Sequence, residues 1–560
     1  MSIRPQDWSI RKSSSFLGAL AGLLVLFTIA APGITIDEPL DVRPGRDYVK
    51  ALMASGPRFF SREVSDKVYS DNREHPPLGR WMLGIASTLA EPFEVMLTGG
   101  ADPIGIYVLA GRVAPTLIFA LLVAFISSEA GRRHGKAACW STGFALIVMP
   151  RLFSHAHLGA LDLFIAAAWC LALIKADRAL MSDRPIRGMA IAGVFFGLAM
   201  LVKIHGWLLP PIVLANALWR LGFKRAIVAM TVWTSIGLAV FFVGWPWLWF
   251  DTLNRLQTYL GTGVERVAIY VQYFGQVYRD KDVPWHFPWV YFATTVPVGL
   301  HAIGIVGGVR AFRERDARTI YLITTIAVIL AFFSTNVPVY DGERLYLLVF
   351  PLWAIVIGKG FSTLWTRVSN LSRGLKLATT TAKASTDPKT ATEPLDRPNL
   401  ATTRVATPWF RRGLLVFLIS QSLGLLLIFP YGLSYYNLLV GGLPGAERLG
   451  LEVMYWSESV DPGLLYQLAS VAPEAAKASL APTLAPEQGK VVTGRDLINR
   501  RIVLGDDSDV ATSDFIVVYR RPSYWKDDLK RVVEQGEGTV VATRSRQGVW
   551  LSRIYRRVKR

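Results

Sequence analysis

The chain has 560 residues, 52% of them hydrophobic and only 18% charged, with 18 tryptophans; a soluble enzyme of this length would carry more charge. The formal net charge of +19 is explained by basic loops on one side of a membrane, so nucleic acid is not an expected partner. The only two cysteines, Cys139 and Cys170, lie in apolar runs and imply neither a disulfide framework nor a metal site.

Apolar runs of the length that crosses hydrocarbon predict about eleven spans. The first covers residues 16–32 and ends in "TIAAPG", small residues that also suit a signal-peptide cleavage site. A retained anchor is expected, because it keeps every later basic loop on one side. Directly after it, "ITIDEP" places two acids, Asp37 and Glu38, side by side at the membrane surface. They open a long loop, 33–106, containing "REHPPLGRWMLGIASTLA" at 73–90, where two prolines fix an extended entry into a helix expected to lie in the interface. Further spans are expected at 107–127, 137–153, 158–174, 188–202, 207–219, 227–247, 288–309, 319–335, 345–361 and 413–430.

Charge orders these spans. "RRHGK" (132–136), "KADRALMSDRPIR" (175–187), "FKR" (223–225) and "RAFRERDAR" (310–318) all fall on one side, with Arg4, Arg11 and Lys12. That side is cytoplasmic by the positive-inside rule, so Asp37 and Glu38 face out. Residues 370–408, rich in Thr, Ala, Lys and Pro without apolar periodicity, read as a mobile cytoplasmic linker. From Tyr431 the chain is polar enough for an outer α/β domain, 431–560, beyond a membrane domain of 1–430. A strand is predicted at "FIVVYRR" (515–521), two more around a turn in "TVVATRSRQGVWLSRIY", and a helix near 462–478.

The acid pair, "EHPPLGRW", "YVLAGRVAPTLIFALL", "MPRLFSHAHLGALDLF" (149–164), "LAMLVKIHGWLLP" (198–210), "VYDGERLYLLVFP" (339–351) and "YGLSYYNLLVGGLPGA" (431–446) occur in this order. The ordered set resembles the membrane glycosyltransferases that use polyprenyl-phosphate sugars, the GT-C type that includes protein O-mannosyltransferases and lipid A aminoarabinose transferases. The resemblance runs from about residue 16 to 456; beyond Leu451, "EVMYWSESV" is only a loose version of the expected acidic, Trp-containing segment. It implies an all-α polytopic GT-C architecture, a lipid-linked sugar donor and an acceptor hydroxyl on protein, lipid or wall glycan, on the outer face of the plasma (inner) membrane.

Inverting transfer from a lipid phosphate needs a base for the acceptor proton and cations for the departing phosphate. The resemblance makes Asp37 the base, with Glu38 orienting the acceptor or tuning its neighbour. His75, Arg80, Arg112 and Arg344 are the expected phosphate contacts. His75 stands where the aminoarabinose branch has a lysine and the mannosyltransferases a histidine. Arg112 sits about one turn into the second span, where an uncompensated charge is costly. Arg344 is read equally well as a headgroup anchor. Glu74, Arg151, His155 and Asp162 are expected to line the same polar cavity, with Lys203, His205, Tyr340 and Asp341. No cofactor beyond the donor is expected. A zinc or manganese ion at His155, His157 and Asp162 is the less favoured reading, since histidines at i and i+2 do not share a helical face. A transporter or lipid flippase is the competing class, but it needs neither a long acid-bearing outer loop nor a large outer domain.

Overall fold

The computed structural model describes residues 5–70, 73–100, 102, 104–262, 268–485 except 385–399, and 488–558. Helix α1 (Pro5–Phe27) leads into α2 (Asp37–Ser55), α3 (Arg62–Val68), α4 (Leu78–Thr98) and the short α5 (Val108–Gly111). Then follow α6 (Val113–His134), α7 (Lys136–Val148), α8 (Pro150–His155), α9 (Asp162–Leu180), α10 (Pro185–Met200), α11 (Leu209–Leu221), α12 (Phe223–Gly244) and α13 (Thr252–Thr262). The bundle closes with α14 (Phe287–Thr295), α15 (Val298–Glu314), α16 (Ala317–Phe332), α17 (Val349–Ala384), α18 (Leu400–Ser420) and α19 (Ser422–Ile428).

Among the described residues, five helical segments are long and apolar enough to cross a membrane: Trp8–Phe27, Val108–His134, Phe223–Gly244, Val349–Asn370 and Trp409–Ile428. The pair α14 and α15, bent by 108°, makes a sixth if taken as one span. This is an integral membrane architecture. Every one of the expected spans falls on helix, yet α7, α10 and α16 are shorter apolar helices, so helix length alone does not reach the expected count. The run 137–153 is divided because Pro150 cannot continue α7 and instead opens α8.

The long loop expected at 33–106 is mostly helical among its described residues. The prolines at 76 and 77 precede α4 as expected, and the Leu78 amide is tied to the Leu201 carbonyl at 3.0 Å, which pins this entry to the end of α10. Helices α2 and α4 cross at Gly45 and Gly84: a Cβ on Gly45 would lie 2.1 Å from the Arg80 carbonyl oxygen, and one on Gly84 2.0 Å from that of Gly45. Only glycine allows this approach. The crossing holds the helix that begins with Asp37 against the bundle.

The expected linker 370–408 is helical at both ends, in α17 and α18, and its middle, 385–399, lies outside the described residues. The C-terminal domain carries α20 (Gly442–Arg448) and α21 (Pro462–Val471). A hairpin missed in the sequence, β1 (Tyr270–Tyr273) with β2 (Gln276–Arg279), lies between α13 and α14. The domain's sheet uses β3 (Ala478–Ala481), β4 (Leu504–Gly505), β5 (Phe515–Tyr519), β6 (Gly538–Arg546) and β7 (Val549–Arg557) in the order β4-β3-β5-β7-β6. β3 is parallel to β4 and β5, whereas β7 runs antiparallel to β5 and β6. The β5 strand and the β6–β7 hairpin match the sequence reading. The helix expected over 462–478 stops at Val471, because Pro473 follows, and its last residue instead opens β3. One continuous apolar core runs from Ile10 of α1 to Ile554 of β7, so the C-terminal domain is packed onto the bundle.

Candidate active site

The adjacent acids part company at the first turn of α2, a position that favours negative charge. Successive helical residues point about 100° apart, and each carboxylate meets its own arginine.

Glu38 turns inward and is fully buried. Its Oε1 accepts from Arg112 Nε at 2.7 Å and the Gly159 amide at 2.9 Å; its Oε2 accepts from Arg112 Nη2 at 2.8 Å and from the Thr35 amide and hydroxyl at 2.8 and 3.1 Å. The rest of the Arg112 fork donates to the carbonyls of Ile29 (2.9 Å), Pro32 (3.0 Å) and Gly33 (2.7 Å). All five guanidinium donors are thereby spent on the chain's own α1–α2 connection. This corrects two expectations: Arg112 is not placed to hold a donor phosphate, and Glu38 has no lone pair left to orient an acceptor. Arg80 is fully buried and donates to Asp41 Oδ1 at 3.0 Å between α2 and α4, so part of its fork is also spent within the protein.

Asp37 faces the other way and keeps 23% of its side-chain surface exposed. Its Oδ2 is 2.5 Å from Arg344 Nη2. Arg344 also reaches Asp341 (3.0 Å) and Asp162 (3.2 Å), and Asp162 accepts from Lys203 Nζ at 2.6 Å. Charges thus alternate from Asp37 through Arg344 and Asp162 to Lys203. Asp162 and Asp341 are buried, so Asp37 is the most open of the three carboxylates that meet Arg344. The guanidinium of Arg344 stacks over Trp456 at 4.6 Å and Tyr340 at 5.4 Å, which fixes its plane.

The turn that presents Arg344 runs through Asp341 and Gly342 at φ of 54° and 65°. A Cβ at Gly342 would also sit 2.6 Å from Arg151 Nη1, so glycine is required twice over. Arg151 donates to Glu343 at 2.6 Å and to the Tyr435 carbonyl at 3.1 Å, and stacks on Tyr436 at 4.8 Å. It supports the turn from below. His155 lies 4.0 Å from Glu343 and edge-on to Trp456, in the same supporting layer.

Lys203 also opens onto a cavity of about 330 Å³ lined at its polar end by Glu74, His75, His205 and Tyr340. The remaining walls are apolar, among them Trp207, Leu208, Phe332, Phe333 and Leu345. Desolvation, reinforced by Lys203, holds the His75 imidazole well below its ordinary value, so it is neutral and able to donate one hydrogen bond. The site therefore joins a partly exposed carboxylate and Arg344, through Asp162, to Lys203 and a neutral imidazole on the wall of a largely apolar cavity.

The C-terminal domain contributes what the sequence did not reveal. Arg521, just past β5, donates to Asp341 Oδ1 at 2.7 Å and to the Tyr455 carbonyl at 2.5 Å, and lies 3.6 Å from Glu452. Trp456 Nε1 donates to Asp341 Oδ2 at 3.2 Å. Glu343 was missed in the sequence, although its place in "DGER" between predicted site residues could have marked it; Arg521 had no local signal. For a metal, His157 is turned away to Thr28 Oγ1 (2.8 Å) and the Phe153 carbonyl (2.9 Å). No group of three His, Cys, Asp or Glu among the described residues has metal-binding geometry.

No family model and no curated protein matches the chain. Among solved structures, ArnT from Cupriavidus metallidurans in the apo state is similar over 96% of this chain and 97% of that one, at 17% identity and a TM-score of 0.52. The fold is that of ArnT. ArnT bound to undecaprenyl phosphate aligns over the same shares at a TM-score of 0.45. The chain therefore has an ArnT-like helical fold with a small C-terminal sheet domain, the architecture the ordered motifs led one to expect.

Proposed function

We propose that this protein is an integral membrane glycosyltransferase that moves a sugar from a polyprenyl-phosphate donor to an acceptor hydroxyl at the extracytoplasmic face, with inversion and with Asp37 as general base. The observation that carries this reading is the chain Asp37–Arg344–Asp162–Lys203 ending at the mouth of an apolar cavity. The ArnT-like fold supports it. The acceptor, whether protein, lipid or wall glycan, is left open by the residues.

In this mechanism the prenyl chain enters between Trp207, Phe333 and Leu345, and the phosphate meets Lys203, His75 and Arg344. Arg344 then has two anions to serve. A phosphate that shares its fork weakens the hold on Asp37, so the base is released as the donor binds. Asp37 takes the acceptor proton while the hydroxyl oxygen attacks the anomeric carbon. The bond to the phosphate oxygen breaks, and the negative charge that appears there is stabilised by the two cations. Asp341, held by Arg521 and Trp456, keeps Arg344 in the plane this requires.

The test uses membranes containing the wild type or Asp37→Asn and a labelled polyprenyl-phosphate sugar, and follows free carrier phosphate and acceptor labelling. A base contributes about 10²- to 10⁴-fold, so the Asn variant should lose transfer by that factor while inserting normally. Near-normal turnover in the purified variant would remove Asp37 from this role.

A further inference from the structure

The other end of the same helices carries a second set of charges that the proposed reaction does not use. Asp177 follows Asp162 by about four turns of α9, so the two carboxylates stand ~22 Å apart along its axis, most of a bilayer core. Around Asp177 and Glu129 gather five arginines from the ends of four helices: Arg132 and Arg133 of α6, Arg178 of α9, Arg220 of α11 and Arg318 of α16. Arg133 bridges Glu129 at 2.6 Å and Asp177 at 3.3 Å, and Arg318 bridges both at 3.1 Å. Arg220 reaches Asp177 at 3.1 Å, Arg178 bonds Glu129, and Arg132 approaches it at 3.8 Å.

Two carboxylates cannot neutralise five guanidiniums, and both are already saturated. They are 2% and 1% exposed, whereas Arg132, Arg178 and Arg318 keep 38%, 30% and 28% of their surface open. The anions are therefore at the bottom and the more exposed cations at the rim. Arg133, itself only 3% exposed, has its Nη1 buried with no protein partner among the described residues. A buried guanidinium donor left unpaired is costly. The adjoining acids do not answer this need: Glu314 and Asp316 are bound to Lys359 at 3.0 and 2.8 Å, with His134 4.0 Å from Asp316.

An oxyanion with several acceptor oxygens, seated on the rim arginines, matches this donor excess, and phosphate accepts from guanidinium forks in bidentate fashion. The cluster lies at the end of α6, part of a segment long and apolar enough to cross a membrane, so headgroup level is its expected depth. We propose that this arginine cluster binds the phosphate group of an anionic membrane lipid on the face opposite Asp37, tying α6, α9, α11 and α16 together through it. The same chemistry would accept a free phosphate ion, and the experiment separates the two sources.

The full-length protein, delipidated in detergent, is titrated with phosphatidylglycerol, phosphatidylcholine or inorganic phosphate, and adducts are counted by native mass spectrometry. Phosphatidylglycerol should be retained and phosphatidylcholine not. Arg132→Gln with Arg178→Gln should weaken retention at least ~10-fold, the value of one charged hydrogen bond. Lys224→Gln with Arg225→Gln removes the same charge from exposed positions on the same face and should leave retention unchanged. Equal losses in the two pairs would reduce the effect to general surface attraction and overturn the site. Undiminished retention in the Arg132/Arg178 pair would overturn it too. Inorganic phosphate bound as tightly as the lipid would assign the cluster to a free anion and overturn the lipid reading. Should the Gln pair fail to fold, Arg132→Lys with Arg178→Lys keeps both charges without the forks; it should bind more weakly than wild type, and undiminished binding would refute the proposal. None of these readouts depends on glycosyl transfer.

Discussion

Replacing Arg112 by alanine distinguishes a structural arginine from a phosphate ligand. The change leaves Glu38 at zero exposure without its counter-ion, and breaking a buried pair from one side costs ~3–5 kcal/mol. Glu38 keeps three donors, from Thr35 and Gly159, which places its share near the lower end, ~3 kcal/mol. The carbonyls of Ile29, Pro32 and Gly33 each lose a charged donor; partial rehydration leaves ~0.5–1 kcal/mol apiece. The expected loss is ~4–6 kcal/mol, a large part of the ~5–15 kcal/mol that holds a typical native state. Unfolding free energy is measured by titrating the protein in mild detergent with a denaturing one. Glu38→Gln added to Arg112→Ala should be less destabilising than the sum of the two, by at least ~1 kcal/mol, because the uncompensated charge is gone. Carrier-phosphate affinity per folded molecule should be unchanged in Arg112→Ala. Wild-type stability combined with lost carrier-phosphate binding would refute the assignment and return Arg112 to the donor site.

Lys203→Gln should weaken carrier-phosphate binding ~10-fold or more, as expected for losing one charge-assisted contact; equilibrium binding of labelled carrier phosphate tests this, and unchanged affinity would move the phosphate away from the cavity mouth. Arg344→Lys should retain part of that binding yet lose transfer, since an ammonium cannot serve Asp37, Asp162 and a phosphate from one plane; single-turnover rates at saturating donor separate the two effects. Glu458 is buried, and neither carboxyl oxygen has a protein partner among the described residues. Desolvation pushes it up to about 8 from an ordinary 4.5, so folding takes up a proton between those values and stability falls as pH rises from about 5 to 8. Glu458→Gln should flatten that slope in thermal unfolding, matching wild type near pH 5 and exceeding it near pH 8; an unchanged slope would exclude Glu458 as its source.

The membrane bundle was legible because apolar runs are long, local signals: all the expected spans lie on helix, and "HPPLGRW" marked the start of α4 through its prolines. The strands at 515–519 and 538–557 were readable for the same reason, as β-branched runs around a Gln-Gly turn. Site residues were legible as polar interruptions of such runs, which is how Asp162, Lys203 and Arg344 were found. Their division of labour was not. Arg112 looked like a phosphate ligand because an intramembrane charge announces a partner without naming it, and its partner, Glu38, lies 74 positions away in sequence. Adjacent acids looked like a pair because sequence shows proximity and not direction; one helical step sends them to opposite sides. Arg521 was invisible for a simpler reason, since an arginine after a surface strand is ordinary until its target, 180 residues earlier, is known.

That distant contact sets a schedule for biosynthesis. Asp341 and Arg344 are synthesised with a neighbour still to come: the guanidinium that anchors Asp341 belongs to residue 521, 180 positions later. Chains emerge at about 5–20 residues per second, so the turn at 341–344 waits roughly ten to forty seconds for its final ligand, longer if the sheet around β5 must fold first. Until then the carboxylate chain is incomplete, and a nascent or truncated molecule that inserts all its helices has a bundle without a finished site. If the proposed function holds, a chain stopped shortly before Arg521 should insert its helices like the longer one and differ from it in glycosyl transfer.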